Sequence, residues 1–207
     1  MKATLTLFLF VLIGTGSTIF SQTVTIGTQV WMTKNLDVAT FRNGDPIPEA
    51  KTAKKWKKAG KNKQPAWCYY NNDRVNGAKY GKLYNWYAVN DSRGLAPVGY
   101  HIPSDEEWIK LTDFLGGFEK AGTKMKSVNG WYDNGNGTNE SGFSGLPGGR
   151  RHGFGPFYGI GDFGFWWSST ETSAGSAWGR GLSYDDGGVF RGADGKRSGF
   201  SVRCLRD

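Results

Sequence analysis

Asp185, Asp186 and Asp194 stand in a glycine-rich C-terminal stretch, "SYDDGGVFRGADGKRSGF". Carboxylates at that density could hold a hard cation, shape turns, or line a recognition surface. A second oxygen-rich run, "DNGNGTNE" from Asp133 to Glu140, is the better place for calcium, which would need about six to eight oxygens. Its spacing does not match an EF-hand loop, and Asn-Gly pairs form turns without any metal. Calcium therefore stays open as a low-ranking alternative to having no cofactor, and no residue is assigned as a metal ligand.

Other chemistry is poorly signalled. His101 and His152 have no neighbouring HxH, HExxH or CxxC partner, so zinc is not indicated. His101 precedes a helix start and reads as a hydrogen-bonded structural residue. Asp105, Glu106 and Glu107 fall in a first helical turn, where the helix dipole accounts for them. No catalytic residue is nominated.

Two further groups could act. Lys51, Lys54, Lys55, Lys57, Lys58, Lys61 and Lys63 surround Trp56, either as a solvated helix with Ala50, Ala53 and Trp56 inward, or as a patch for an acidic polymer. The full chain has net charge +8, of which only Lys2 lies in the leader. Cys68 and Cys204, in an exported chain, suggest a bridge closing nearly the whole domain and worth about 5 kcal/mol, the alternative being two buried thiols.

Export itself is read from residues 1–21. Lys2, the apolar run Leu5 to Ile13 and "IFS" before Gln22 form a signal peptide, which places residues 22–207 outside the cell as a secreted or surface protein. The run is too short to span a bilayer and no second one follows, so no transmembrane segment is expected. A secreted protein meets little nucleic acid, and none is expected as a partner.

The elements that must position these groups come next. "TVTIGTQVWM" alternates about Gly27-Thr28 as a hairpin, and the lysine-rich helix follows with Pro48 in its first turn. "YGKLYNWYAVND" spaces Leu83, Trp86, Tyr87 and Asn90 as a helix, although its aromatics would also suit a strand. In "HIPSDEEWIKLTDFLGG", Ser104 and Glu107 make a capping box, Trp108, Leu111 and Leu115 the inward stripe, and Gly116-Gly117 the stop. Beyond it, the chain is rich in glycine and aromatics and poor in helix formers, which means short strands and large loops. The sum is one α+β domain with a small twisted, mainly antiparallel sheet.

"AWGRGLSYDDGGVFRG" reads as a hairpin turning at Asp186-Gly187, with Trp178, Arg180, Leu182 and Tyr184 on one face. "GFSVRCL" returns as a strand with Phe200, Val202 and Cys204 inward. Among the aromatics, Trp86, Trp108 and Trp166 read as core, whereas Trp131, Tyr132, Phe154, Phe157, Tyr158 and Trp178 read as surface. The candidate ligand-binding residues are Trp178, Arg180, Ser183, Tyr184, Asp185, Phe190 and Arg191.

The segments "VTIGTQVWMTKNL", "YGKLYNWYAV", "GLAPVGYHIPSDEEWIKLTDFLGG", "NESGFSGLPGGRR", "FWWSSTE" and "GFSVRCLRD" resemble, in order, the Fibrobacter succinogenes major paralogous domain family of secreted Bacteroidetes and Fibrobacteres proteins. That family is similar to the formylglycine-generating-enzyme variety of the C-type lectin-like fold. The resemblance implies a non-catalytic ligand-binding or adhesion domain recognising a surface glycan or protein. The alternative is an export-pathway hydrolase or modification enzyme of the same fold. The oxidase of that fold needs two nearby redox cysteines, and here Cys204 belongs to the C-terminal strand. In relatives of this fold the C-terminal section is a ligand-facing surface, in some cases diversified by mutation of adenines in Asn codons. From Gly179 to Gly199 only Lys196 lies outside what such codons encode. The Lys51–Lys63 stretch is more basic than its counterparts, and Tyr100 stands where Trp is frequent.

Overall fold

A computed structural model describes residues 22–207. The signal-peptide reading falls on residues 1–21 and lies outside the described residues. The hairpin β1 (Thr23–Ile26) and β2 (Gln29–Met32) leads to helix α1 (Ala53–Lys61). Next come β3 (Trp67–Cys68), α2 (Arg74–Tyr80), β4 (Leu83–Asn85), α3 (Trp86–Val89) and β5 (Tyr100–His101). Helices α4 (Asp105–Phe114) and α5 (Phe118–Met125) precede the strand-rich half. That half holds β6 (Gly148–Arg151), β7 (Phe157–Ile160), β8 (Phe163–Glu171), β9 (Ser176–Ser183), β10 (Phe190–Gly195), β11 (Gly199–Phe200) and β12 (Leu205–Arg206).

The fold is α+β, with two open sheets. The smaller has strand order β1-β2-β12-β5, so the two ends of the domain pair side by side. The larger runs β10-β9-β8-β6-β11-β4-β3, with β7 on β6. Among the described residues, strand pairs are antiparallel except β6 with β8, and the isolated bridges Glu49–Trp67, Lys126–Gly145 and Trp166–Ser201 are also parallel. No helix among the described residues is long and apolar enough to cross a membrane.

Local signals explain several of these elements. Ser104 accepts from the Glu107 amide while the Glu107 carboxylate accepts from the Ser104 amide, the reciprocal cap expected of "SDEE". His101 sits against this cap, its ring nitrogens 2.9 Å from Glu107 Oε1 and 2.8 Å from Asp207 Oδ1. Partial burial disfavours its charged form, but the two carboxylates outweigh that and raise its pKa. Trp108, Leu111 and Leu115 are buried, and Trp108 packs with Trp31 and Phe143 at ring separations of 4.8 and 5.8 Å. Trp86 and Trp166 are core as expected.

Elsewhere tertiary packing overrides the pattern. Leu83–Asn85 is not helical: all three residues are buried and pair with β3 and β11, and only a single helical turn follows, capped by the Asn85 side chain. Pro48 is not in the first turn of α1, which starts after Thr52; the Thr52 hydroxyl accepts from the Lys55 amide. Trp56 packs inward, whereas Ala53 is exposed. Trp131, expected at the surface, is buried in the cluster with Trp31, Trp108 and Phe143, and its indole N–H is satisfied by Ser127 Oγ and the Gly145 carbonyl.

The expected Cys68–Cys204 bridge is absent: both are free thiols, fully buried in different clusters. Cys68 lies beside Trp56 and Leu83, and Cys204 beside Met32 and Val202. Burial pushes Cys68 up to about 11 and Cys204 up to about 12, so each is an inert thiol at neutral pH. Both should therefore resist alkylation in the native protein and both should react in denaturant without reductant. Mass spectrometry of denatured, unreduced protein carrying no label would restore the bridge.

A candidate recognition face on the C-terminal hairpin

Strand β10 pairs with β9 through six residue pairs, from Phe190 with Gly181 to Gly195 with Ser176. It is an edge strand of the larger sheet, and every residue but the half-buried Asp194 is exposed. The connection is a six-residue loop from Tyr184 to Val189 rather than the tight turn expected at Asp186-Gly187; Lys126 Nζ donates to the Ser183 and Asp186 carbonyls and holds this loop open, and the Asp186 carboxylate accepts from the Gly188 amide at 2.6 Å.

One face of the hairpin is braced from below by a charge cluster. Asp105 is 3% exposed, with Arg180 Nη1 at 2.8 Å and Arg191 Nη2 at 2.7 Å from its carboxylate oxygens. Burial opposes the charge on Asp105, but the two guanidinium groups outweigh it and hold its pKa below the usual carboxylate range. The Arg191 guanidinium also lies 3.5 Å from the centre of the Trp178 ring.

The seven candidate residues thus separate. Arg180 and Ser183 are 1% and 2% exposed. Arg180 serves Asp105, and the Ser183 hydroxyl donates to the Asp185 carboxylate, so both hold the hairpin rather than face outward. Tyr184 is half-buried, edge-on to Tyr132 at 5.4 Å. Trp178 is half-buried beneath Arg191, while Asp185, Phe190 and Arg191 are exposed.

The opposite face of the same strands was not singled out by sequence. Gly179, Gly181 and Gly192 line a shallow trough of about 90 Å³ bordered by Phe165, Phe190 and Phe200. A Cβ on Gly179 would meet Phe200 at 3.2 Å and one on Gly181 would meet Phe165 at 3.2 Å, so glycine lets the rings reach the strand backbone. Phe165 stacks on Phe200 at 5.1 Å, and Phe200 on Trp167 at 4.2 Å, which anchors the trough in the core. The only available signal was the small-residue alternation in "GRG" opposite "FGF".

Asp194 closes the trough. Its carboxylate accepts from Arg150 Nη1 at 2.8 Å and from the Ser198 hydroxyl at 2.6 Å. It also borders a groove of about 480 Å³ whose walls include Lys63, Tyr87, His152, Phe154 and Arg197. The fold therefore joins, at one edge strand, the end of the lysine-rich stretch, a turn of the aromatic loops and the C-terminal hairpin.

Metal chemistry finds no cluster here: among the described residues no group of three or more His, Cys, Asp and Glu side chains could hold an ion. In "DNGNGTNE" the Asn136 and Asn139 side-chain oxygens accept from the Trp131 and Ser144 amides, so two of the oxygens suggested for calcium shape the loop itself.

The family model described as Fibrobacter succinogenes major domain matches residues 24–206, and the chain belongs to that family. Neither the curated proteins nor the solved structures give a significant match.

Proposed function

We propose that this protein is a secreted or cell-surface, non-catalytic domain of C-type lectin-like fold that binds a glycan or protein ligand through its C-terminal hairpin. The observation that carries the reading is β10: an edge strand exposed almost end to end, bordering an aromatic trough, on a hairpin braced internally by Asp105 and Arg180. Edge strands with open backbone groups and aromatic walls suit recognition of extended ligands. The long stretch 126–147, without strand or α-helix, fits the large loops of the lectin-like fold.

Exchanging Tyr184, Asp185 and Phe190 leaves the Asp105–Arg180 pair untouched and removes from within the hairpin the Ser183–Asp185 hydrogen bond and the Tyr184–Tyr132 contact. Replacing Tyr184, Asp185 and Phe190 together should abolish binding to whichever ligand a glycan array and a surface-protein pulldown identify, while the melting temperature moves little, because few buried contacts are lost. Undiminished affinity in that triple variant would overturn the reading.

A further inference from the structure

We infer that the groove beside Asp194 binds an acidic saccharide, with the anionic group held by Lys63 and Arg197 and the sugar ring set against Phe154 and Tyr87. This deepens the reading of the hairpin edge as a binding face and rests on it.

Arg197 is positioned for the task. Its stem is flanked by Gly60 of α1 and by Gly153: a Cβ on either would come within 2.9 or 3.0 Å of its Cγ or Cβ. Its backbone carbonyl accepts from the Trp56 indole, which fixes the chain there. Its guanidinium, however, has no carboxylate partner among the described residues, and neither has the Lys63 ammonium. Asp194, the carboxylate bordering the groove, is already paired with Arg150. The groove thus presents two unpaired cations with a planar fork among them, a geometry suited to a carboxylate or sulfate.

Lys63 adds an independent observation. It follows the cap of α1 with φ of +53°, a left-handed position that favours glycine or asparagine and disfavours a lysine. Folding alone would be served at least as well by glycine there. The walls supply the rest: Phe154 is exposed and Tyr87 half-buried, flat apolar surfaces on which a pyranose can lie. The volume lies within the range of small-ligand sites. The lysines of α1, from Lys54 to Lys61, are all exposed and add to the positive field around the protein, with Lys55 and Lys58 bordering a separate groove beside Pro48 and Ala59.

The test is titration of the protein with polygalacturonate, dextran sulfate, neutral dextran, inorganic sulfate and single-stranded oligothymidine. Binding of one or both acidic glycans, and not of neutral dextran, is expected, the two arms separating carboxylate from sulfate. Arg197→Ala should weaken it about tenfold or more, as expected for loss of a charge-assisted contact. Lys63→Gly should also weaken it while leaving the melting temperature unchanged or higher, a combination that a structural role for Lys63 would not produce. Equal binding of oligothymidine or inorganic sulfate, no binding of either glycan, or full affinity in both variants would overturn the inference. If the hairpin triple variant then loses its ligand while the groove variants bind normally, the groove assignment fails and the hairpin reading stands. If none of these variants loses affinity, both fail.

Discussion

Replacing Arg203 with methionine should destabilise the domain by about 3 kcal/mol or more, measured by urea denaturation of the purified protein. Arg203 is 0% exposed and has no carboxylate partner among the described residues. It is held by acceptors alone: the carbonyls of Met32 and Phe143 and the side-chain oxygen of Asn35, with its guanidinium 4.3 Å from the Phe143 ring. Two effects oppose each other. Removing a buried charge relieves its desolvation, but it orphans carbonyls at about 1–3 kcal/mol each, and hydrogen bonds from charged donors are the strong ones. The loss wins because Arg203 joins three segments distant in sequence, at residues 32–35, 143 and 203. Arg203→Lys should recover only part of the loss, since an ammonium cannot reproduce the planar fork. A change below about 1 kcal/mol in the methionine variant would show that water or backbone shifts satisfy these carbonyls instead.

Asp105→Ala should have an effect of similar size, about 3–5 kcal/mol, because it leaves Arg180 buried without a counter-charge. The Arg180 Nε already lacks a hydrogen-bond partner, so this site has little slack. Asp105→Ala combined with Arg180→Met should be less damaging than Asp105→Ala alone, the sign expected when the penalty is an unpaired charge rather than lost packing. The pH dependence follows from the lowered pKa of Asp105. Its stabilisation is fully present above the unfolded value of about 4 and is lost as pH falls through the folded value, where the carboxyl takes a proton. The wild type should therefore lose stability in acid more steeply than Asp105→Asn. Parallel pH profiles for the two proteins would count against the assignment.

Much of the frame was legible in the sequence. The β1–β2 hairpin, the capping box of α4 and its Trp108–Leu115 stripe depend on neighbours within a few residues, so spacing and residue type suffice. The order of helix-forming and glycine-rich segments gave the α+β class for a related reason: turns and caps are local events. The motifs along the chain also carried the family resemblance, which the family match over residues 24–206 bears out.

What the tertiary structure decided were the pairings between remote segments. Leu83–Asn85 has helical spacing, yet it becomes a strand because β3 and β11 present backbone partners on both sides. Cys68 and Cys204 share a chain but not a cluster, and spacing cannot tell whether two thiols meet. Arg180 and Arg191 look equally available in "GRGLSYDDGGVFRG", but only the position of Asp105, 75 residues from Arg180 in the chain, turns the first inward as a brace and leaves the second at the surface. The groove of Lys63, Phe154 and Arg197 likewise has no local signature. It exists because α1, the turn after β6 and the turn before β11 meet, and that meeting is set by burial of Trp56 and Arg151 between them, a property of the whole packed chain.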